Sequence, residues 1–390
     1  LKTSSTRRFG SRRLGLFADS AIRDMSILAA KVGAVNLAQG SPDFPAPLSV
    51  KRAAAAAIRG DHNQYEMTMG SQELREAVAA KVRSFNGIRA DADDGVTITC
   101  GSTEAITAAM MAFTDPGDRV IVPEPFYESY LPATILSGAT AIHFRSREPG
   151  YVLAEEDMKV AFSQKPKAIL LNTPNNPTGR VLSRKELGVV ADLCEDYDVL
   201  AITDEIYEHI VYDGHRHVSL ATIGNMHERT VTISGLSKTF SITGWRIGYA
   251  VAEKNLTTAL RTVHDYLTVC AATPLQRAAV SALALPESYY RDLAATYDKK
   301  RLYMLKSLQE LGFSCSRPEG AYYILADFGG ISKLDDFAFA HHLAREVGVA
   351  VVPASSFYTN RQAGRTKVRF TFTKKDATLK EAVERMRKGL

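Results

Sequence analysis

The sequence predicts an α/β fold built on a mostly parallel sheet and joined to a smaller α+β part. Three observations carry that expectation. Between about residues 95 and 250, short β-rich runs alternate with helical patterns, as strand–helix–strand crossovers require. Most of those runs are continuously apolar, which suits strands covered on both faces. A chain of 390 residues also exceeds one ordinary compact core.

Taken in order, the strand candidates are VTITC (96–100), RVIVP (119–123), AILLN (168–172), VLAIT (199–203), TVTIS (230–234) and IGYAVA (247–252). Helical patterns lie between them, for example STEAITAAMMAF (102–113) and SRKELGVVADLCEDY (183–197). Beyond this region the pattern changes. A helix is expected over 286–318, followed by the run AYYILADF, a helix near DDFAFAHHLAREVG, the run VAVVPA, then KVRFTFT and a closing helix. The opening segment, as far as NLAQGSPDFPAP, is rich in turn residues and is expected to pack with this C-terminal part. The boundaries this suggests are a large domain over 46–285 and a small one made from 1–45 and 286–390.

With 45% hydrophobic and 23% charged residues, the composition is that of a globular protein. The net charge of +5 is mild, and part of it sits between Leu1 and Gly15, where Lys2, Arg7, Arg8, Arg12 and Arg13 meet no acidic residue. Such an arm can grip phosphates, clasp a partner, or remain from an organelle-targeting peptide. Cys100, Cys194, Cys270 and Cys315 are widely spaced and form no CxxC, which points to free thiols in a reducing compartment. No apolar stretch approaches the roughly 18 residues of a membrane span. The expectation is a cytoplasmic enzyme that binds neither membrane nor nucleic acid.

Ligands of open parallel sheets sit outside the carboxyl ends of the strands, so the residues just after each strand matter most. Here those ends carry GSTEAI (101–106), TPNNPTG (173–179), DEIY (204–207) and GLSKTFSITGWRIGY (235–249). Lys238 alone would be an ordinary loop lysine. Near it, Ser234, Ser237 and Arg246 offer two hydroxyls and a guanidinium suited to a phosphate dianion. A lysine partly desolvated among other cations loses its proton more readily and can form a Schiff base. Asp204 ends an apolar run, where an unpaired carboxylate is costly. Arg369 lies in the β-rich KVRFTFT, where a charge needs a partner and a planar guanidinium suits a carboxylate.

The run SGLSKTFSITGWRIGY resembles the cofactor-lysine motif of the class I/II aminotransferases, enzymes of pyridoxal-phosphate fold type I. LNTPNNPTG resembles their Asn-Pro signature and DEIY their aspartate–tyrosine pair, all in the family's order. The resemblance extends over essentially the whole chain, through NLAQGSPDFPAP near the start and VRFTFT near the end. It implies a large domain with a mostly parallel seven-stranded sheet and pyridoxal 5'-phosphate held by Lys238. It further implies that Asp204 pairs with the pyridine nitrogen and that Tyr207 and Asn176 reach the phenolic oxygen. Phosphate would fall to Gly101, Ser102 and Thr103 at a helix N-terminus, with Ser234, Ser237 and Arg246. Tyr127 would stack on the ring, with Phe126 as its rival. Arg369, Asn176 and the backbone of Gly40 would hold the substrate carboxylate. Tyr65 matches a tyrosine that reaches the phosphate of the neighbouring subunit, which implies a homodimer with shared sites.

The implied activity is amino-group transfer between an α-amino acid and a 2-oxo acid in a ping-pong cycle. Some aspartate-specific relatives carry a lysine where this chain has Thr103, so a dedicated aspartate enzyme is disfavoured. The segments closest to the kynurenine/glutamine transaminase branch suggest aromatic, methionine- or glutamine-like donors. The competing chemistries are a carbon–sulfur β-lyase and a biosynthetic cyclase or oxidase on the same scaffold. A transcription regulator of this type would need an added DNA-binding domain. His341 and His342 sit on a helix expected to be exposed, and no HExxH occurs, so no metal is assigned.

Overall fold

A computed structural model describes residues 9–390; the basic residues Lys2, Arg7 and Arg8 lie outside them. After the short strand β1 (Val35–Asn36), seven strands form the large sheet: β2 (Val96–Thr99), β3 (Arg119–Ile121), β4 (Thr140–Ile142), β5 (Ala168–Asn172), β6 (Leu200–Asp204), β7 (Thr230–Gly235) and β8 (Gly248–Val251). Their order is β2-β8-β7-β6-β5-β3-β4. The run from β7 to β4 is parallel throughout, and β8 is antiparallel to both its neighbours. All six expected strands are present. The seventh, β4, is a three-residue edge strand, partly exposed, and its TAI carries too little pattern to be read.

Every residue of β2, β5, β7 and β8 is buried, the threonines of β2 and β7 included, as strands covered on both faces require. The helix Ser102–Phe113 packs across β6, β7 and β8, and the capped helix Arg184–Asp196 helps form an apolar cluster with β5 residues. The parallel register sets Asn172 of β5 beside Asp204 of β6, and Asp204 beside Ile233 of β7. Three neighbouring strands therefore end at one level, where the sequence places its polar loops.

The C-terminal part adds β9 (Ser314–Cys315), β10 (Tyr323–Asp327), β11 (Val349–Ala350), β12 (Val352–Pro353) and β13 (Lys367–Thr371). Four of these make a sheet in the order β12-β13-β10-β9, while β11 pairs in parallel with β1. The single run expected at VAVVPA is thus split between two sheets. The helix expected over 286–318 spans Glu287–Glu310; the chain turns at Gly312, whose φ is +91°, and then enters β9. The opening segment is less irregular than its turn residues suggest. Ala21–Val32 is a helix, with Ser20 accepting from the Arg23 N–H and Gly33 ending it at φ +67°. Its buried Ile22, Met25, Leu28 and Ala29 follow helical spacing and join the same core as Leu293, Tyr297, Phe370 and Met386. The segment shares a core with the C-terminal part. Among the described residues, no helix is long and apolar enough to cross a membrane.

Candidate active site

A cavity of about 280 Å³ opens at the carboxyl ends of β5, β6 and β7, closed on its far side by β10 and β13. Its walls include Ser102, Thr103, Tyr127, Asn176, Asp204, Tyr207, Ser237, Lys238, Arg246 and Arg369, with Gly40 at the edge. Residues separated by more than 300 positions in sequence thus meet around one space.

Lys238 follows β7, and its ammonium lies 5.9 Å from the Tyr207 ring centre. Burial pulls its pKa down to about 8; Asp204 opposes the shift, while Arg246 and Arg369 add to it. Asp204 is 4% exposed, and burial raises its carboxyl to about 6 even though Tyr130 and the Ile206 N–H donate to it. The Tyr130 hydroxyl reaches Asp204 Oδ2 at 2.8 Å. Sequence reasoning missed Tyr130, although it stands three residues after Tyr127 in the same EPFYESY segment.

Arg369 is fully buried on β13, a strand paired on both sides. It donates through Nη1 to Asn176 Oδ1 at 2.7 Å and through Nη2 to the Ala38 carbonyl at 2.6 Å. Its guanidinium lies 4.3 Å from the Tyr323 ring centre and 5.2 Å from that of Phe357. Among the described residues no carboxylate pairs with it, and its Nε has no partner. Asn176 is held by its own N–H donating to Asn172 Oδ1, and Asn172 in turn donates to the Asp204 carbonyl at 2.9 Å.

Tyr207 and Tyr323 are both buried, with their hydroxyls 3.0 Å apart. Tyr323 is the other wall residue that the sequence did not single out, beyond its place in AYYILADF. A Cβ on Gly40 would lie 2.0 Å from the Tyr323 hydroxyl oxygen, so this corner admits only glycine. Tyr127 faces the cavity, whereas Phe126 is core and stacks on His143 at 5.5 Å between ring centres.

Gly101 caps the helix Ser102–Phe113 with φ +80° and ψ 164°, a conformation open to glycine. A Cβ there would meet Arg246 Nη2 at 2.4 Å. Arg246 therefore lies directly over the helix start, where free N–H groups already favour an anion. Ser237 lines the cavity beside them. Ser234 does not, which corrects the expectation that it binds phosphate. Its hydroxyl donates to Glu208 Oε1 at 2.7 Å, because alternation along β7 turns it from the loop face into the core. Tyr65 lies outside the cavity and is 85% exposed.

Behind β7, Glu205, Glu208 and His217 converge closely enough to suggest a metal. Lys81 already occupies the cationic role there, paired with Glu208, while Asn86, Ser219 and Tyr249 donate to the two carboxylates. His341 and His342 are exposed, and the four cysteines are unpaired, with Cys194 alone buried.

The chain is similar to known proteins over nearly its whole length. Residues 32–386 match the family model described as aminotransferase class I and II. The chain is 37% identical over 385 residues to a probable N-succinyldiaminopimelate aminotransferase of Mycobacterium tuberculosis, covering 96% of this chain and 97% of that protein. It is 35% identical over 395 residues to kynurenine–oxoglutarate transaminase 1 of Homo sapiens, with 93% of each covered. A solved Escherichia coli structure with methionine aminotransferase function superposes with a TM-score of 0.93 at 34% identity, over 97% of this chain and 99% of that one.

Proposed function

The chain belongs to the class I and II aminotransferases, and on that premise we propose that Lys238 and Asp204 work on pyridoxal phosphate in this cavity, with an uncharged or aromatic amino acid as donor. The observation that carries the proposal is the convergence of three differently tuned groups. Lys238 is poised near neutrality, Asp204 is buried without a cation bonded to it, and Arg369 lacks a carboxylate partner. Each is a group that cofactor or substrate would satisfy. The relatives named above are all aminotransferases, which gives the lyase and cyclase alternatives no support.

When bound, pyridoxal phosphate supplies an aldehyde for amine exchange and an electron-withdrawing ring that acidifies the substrate α-carbon. Asp204 would hold the proton on the ring nitrogen, its carboxylate oriented by Tyr130 at Oδ2 and by the Ile206 N–H at Oδ1. The Ser102 and Thr103 N–H groups, Ser237 and Arg246 would hold the phosphate. Tyr127 would supply an aromatic face, and Tyr207 and Asn176 would supply hydrogen bonds to the phenolic oxygen. Arg369 would grip the α-carboxylate, turned toward it by Asn176 and the Tyr323 ring. Lys238 Nζ would accept the proton that leaves the α-carbon and carry it onward, a role suited to a pKa of about 8.

Among the described residues, the cations of the cavity wall are Lys238, Arg246 and Arg369, and each would already have a role. None remains for a side-chain carboxylate, while Ile22, Tyr127 and Tyr323 offer apolar surface. This favours methionine-, glutamine- or aromatic-type donors, in keeping with two of the relatives. The exposed Tyr65 supports a homodimer in which each subunit completes the other's phosphate site.

The experiment is a half-reaction screen. Mixed with individual amino acids, the holoenzyme should lose its lysine-bound cofactor absorbance with methionine, glutamine or aromatic donors faster than with aspartate. Lys238→Ala should show neither the band nor turnover. Full activity in that variant would sink the assignment.

A further inference from the structure

His264 has no part in the chemistry above, yet it is wholly buried and both its nitrogens are engaged. It lies in the helix Lys254–Thr268. Its Nδ1 is 3.1 and 3.2 Å from the two carboxylate oxygens of Glu104, and its Nε2 is 2.8 Å from the Thr68 carbonyl. A carboxylate and a main-chain carbonyl only accept hydrogen bonds. Both nitrogens must therefore carry protons, so the geometry calls for the imidazolium.

The groups facing it agree. Glu104 approaches from the helix Ser102–Phe113, Asp265 lies on its own helix, and the third element offers the Thr68 carbonyl and no charge. Thr268 Oγ1, at 3.3 Å from Nδ1, is neutral. These partners raise the His264 pKa above its ordinary 6.5, overcoming the opposing effect of burial.

What the imidazolium joins gives it consequence. Glu104 stands in the first turn of the helix whose N-terminus frames the phosphate end of the cavity. Its Oε2 also accepts the Cys100 N–H at 3.1 Å, one residue before Gly101. Thr68 belongs to the loop that carries the exposed Tyr65.

We propose that His264, as its imidazolium, is a positioning residue that ties the Gly101–Ser102–Thr103 turn to the Tyr65 loop and so sets how firmly the phosphate is held. This rests on the cofactor reading above. The sign is set by the two acceptors. Retention is complete while His264 is charged and falls as rising pH removes its proton, because one acceptor then loses its donor.

The probe is the holoenzyme converted to its pyridoxamine 5'-phosphate form, which has no covalent bond to Lys238. Cofactor release after dilution is followed by fluorescence as pH is raised. The wild type should release roughly 10- to 100-fold faster once His264 is neutral, the loss of one charged hydrogen bond. His264→Gln should release quickly at every pH. Glu104→Gln should release slowly and lose the pH step. Its amide can donate to a neutral imidazole, while its carbonyl still accepts from Cys100. A pH step unchanged in Glu104→Gln, or wild-type release in His264→Gln, overturns the inference. Should His264→Gln fail to fold, Glu104→Gln decides alone. A wild-type protein that holds no cofactor would instead overturn the reading beneath it, and this inference with it.

Discussion

Arg369 donates to Asn176 Oδ1 across 2.7 Å, and this bond joins the four-stranded sheet to the loop that follows β5 of the large one. The guanidinium also holds the Ala38 carbonyl, so three segments share one planar group. A lysine lacks the planar fork that spans both acceptors while gripping a carboxylate with two parallel bonds. Arg369→Lys is expected to raise KM for amino and oxo acids alike by roughly 10- to 100-fold. Steady-state kinetics with both substrates varied will show it, and an unchanged KM would remove Arg369 from substrate binding.

Asp204 costs stability when no cofactor is present. Its carboxyl is raised from 3.8 to about 6, so between those values the folded protein binds more protons than the unfolded one. Stability therefore falls as pH rises through that window. Cofactor-free Asp204→Asn should be more stable than cofactor-free wild type at pH 7, by at most about 3 kcal/mol, and should lose this advantage below about pH 4. The same variant should have little turnover. Thermal melts of both apoproteins across pH decide the first part, and an assay decides the second.

The two serines near Lys238 should separate cleanly. Ser234→Ala removes a buried donor to Glu208 and is expected to cost about 1 kcal/mol of stability without weakening cofactor binding. Ser237→Ala faces the cavity and should weaken cofactor binding several-fold with little change in melting temperature. The reverse pattern would restore Ser234 to the phosphate site.

Gly101→Ala should lose cofactor affinity. The substitution sets a side chain at φ +80° and places its Cβ 2.4 Å from Arg246 Nη2, displacing the guanidinium from the helix start. Titration of the apoprotein with pyridoxal phosphate measures the loss.

If Tyr65 serves the neighbouring site, Lys238→Ala and Tyr65→Ala subunits should complement each other. A mixed dimer contains one site with both residues intact. Co-purified heterodimers are expected to regain activity at cofactor concentrations too low to support Tyr65→Ala alone. Failure to complement would place Tyr65 outside the partner's site.

Much of this site was legible because the chemistry sits at strand ends. Asp204, Ser237 and Lys238 lie where β-rich runs that are unmistakable in the sequence stop, and each lines the cavity. Ser234 misled because it belongs to β7 itself, where alternation decides direction and a one-residue step reverses it. Tyr130 and Tyr323 could not be singled out, since their roles depend on contacts with Asp204 and Arg369, which lie 74 and 46 positions away. In the fold, β4 escaped notice through shortness, and the helix Ala21–Val32 was obscured by the turn residues around it despite its apolar spacing.

If Arg369, which has no carboxylate partner among the described residues, grips the substrate carboxylate, it should take other carboxylates as well. Any small carboxylic acid present at high concentration should then compete with the amino acid and raise the melting temperature of the protein. Buffers such as acetate or citrate would then act as inhibitors, and kinetic constants measured in them would understate the affinity for substrate.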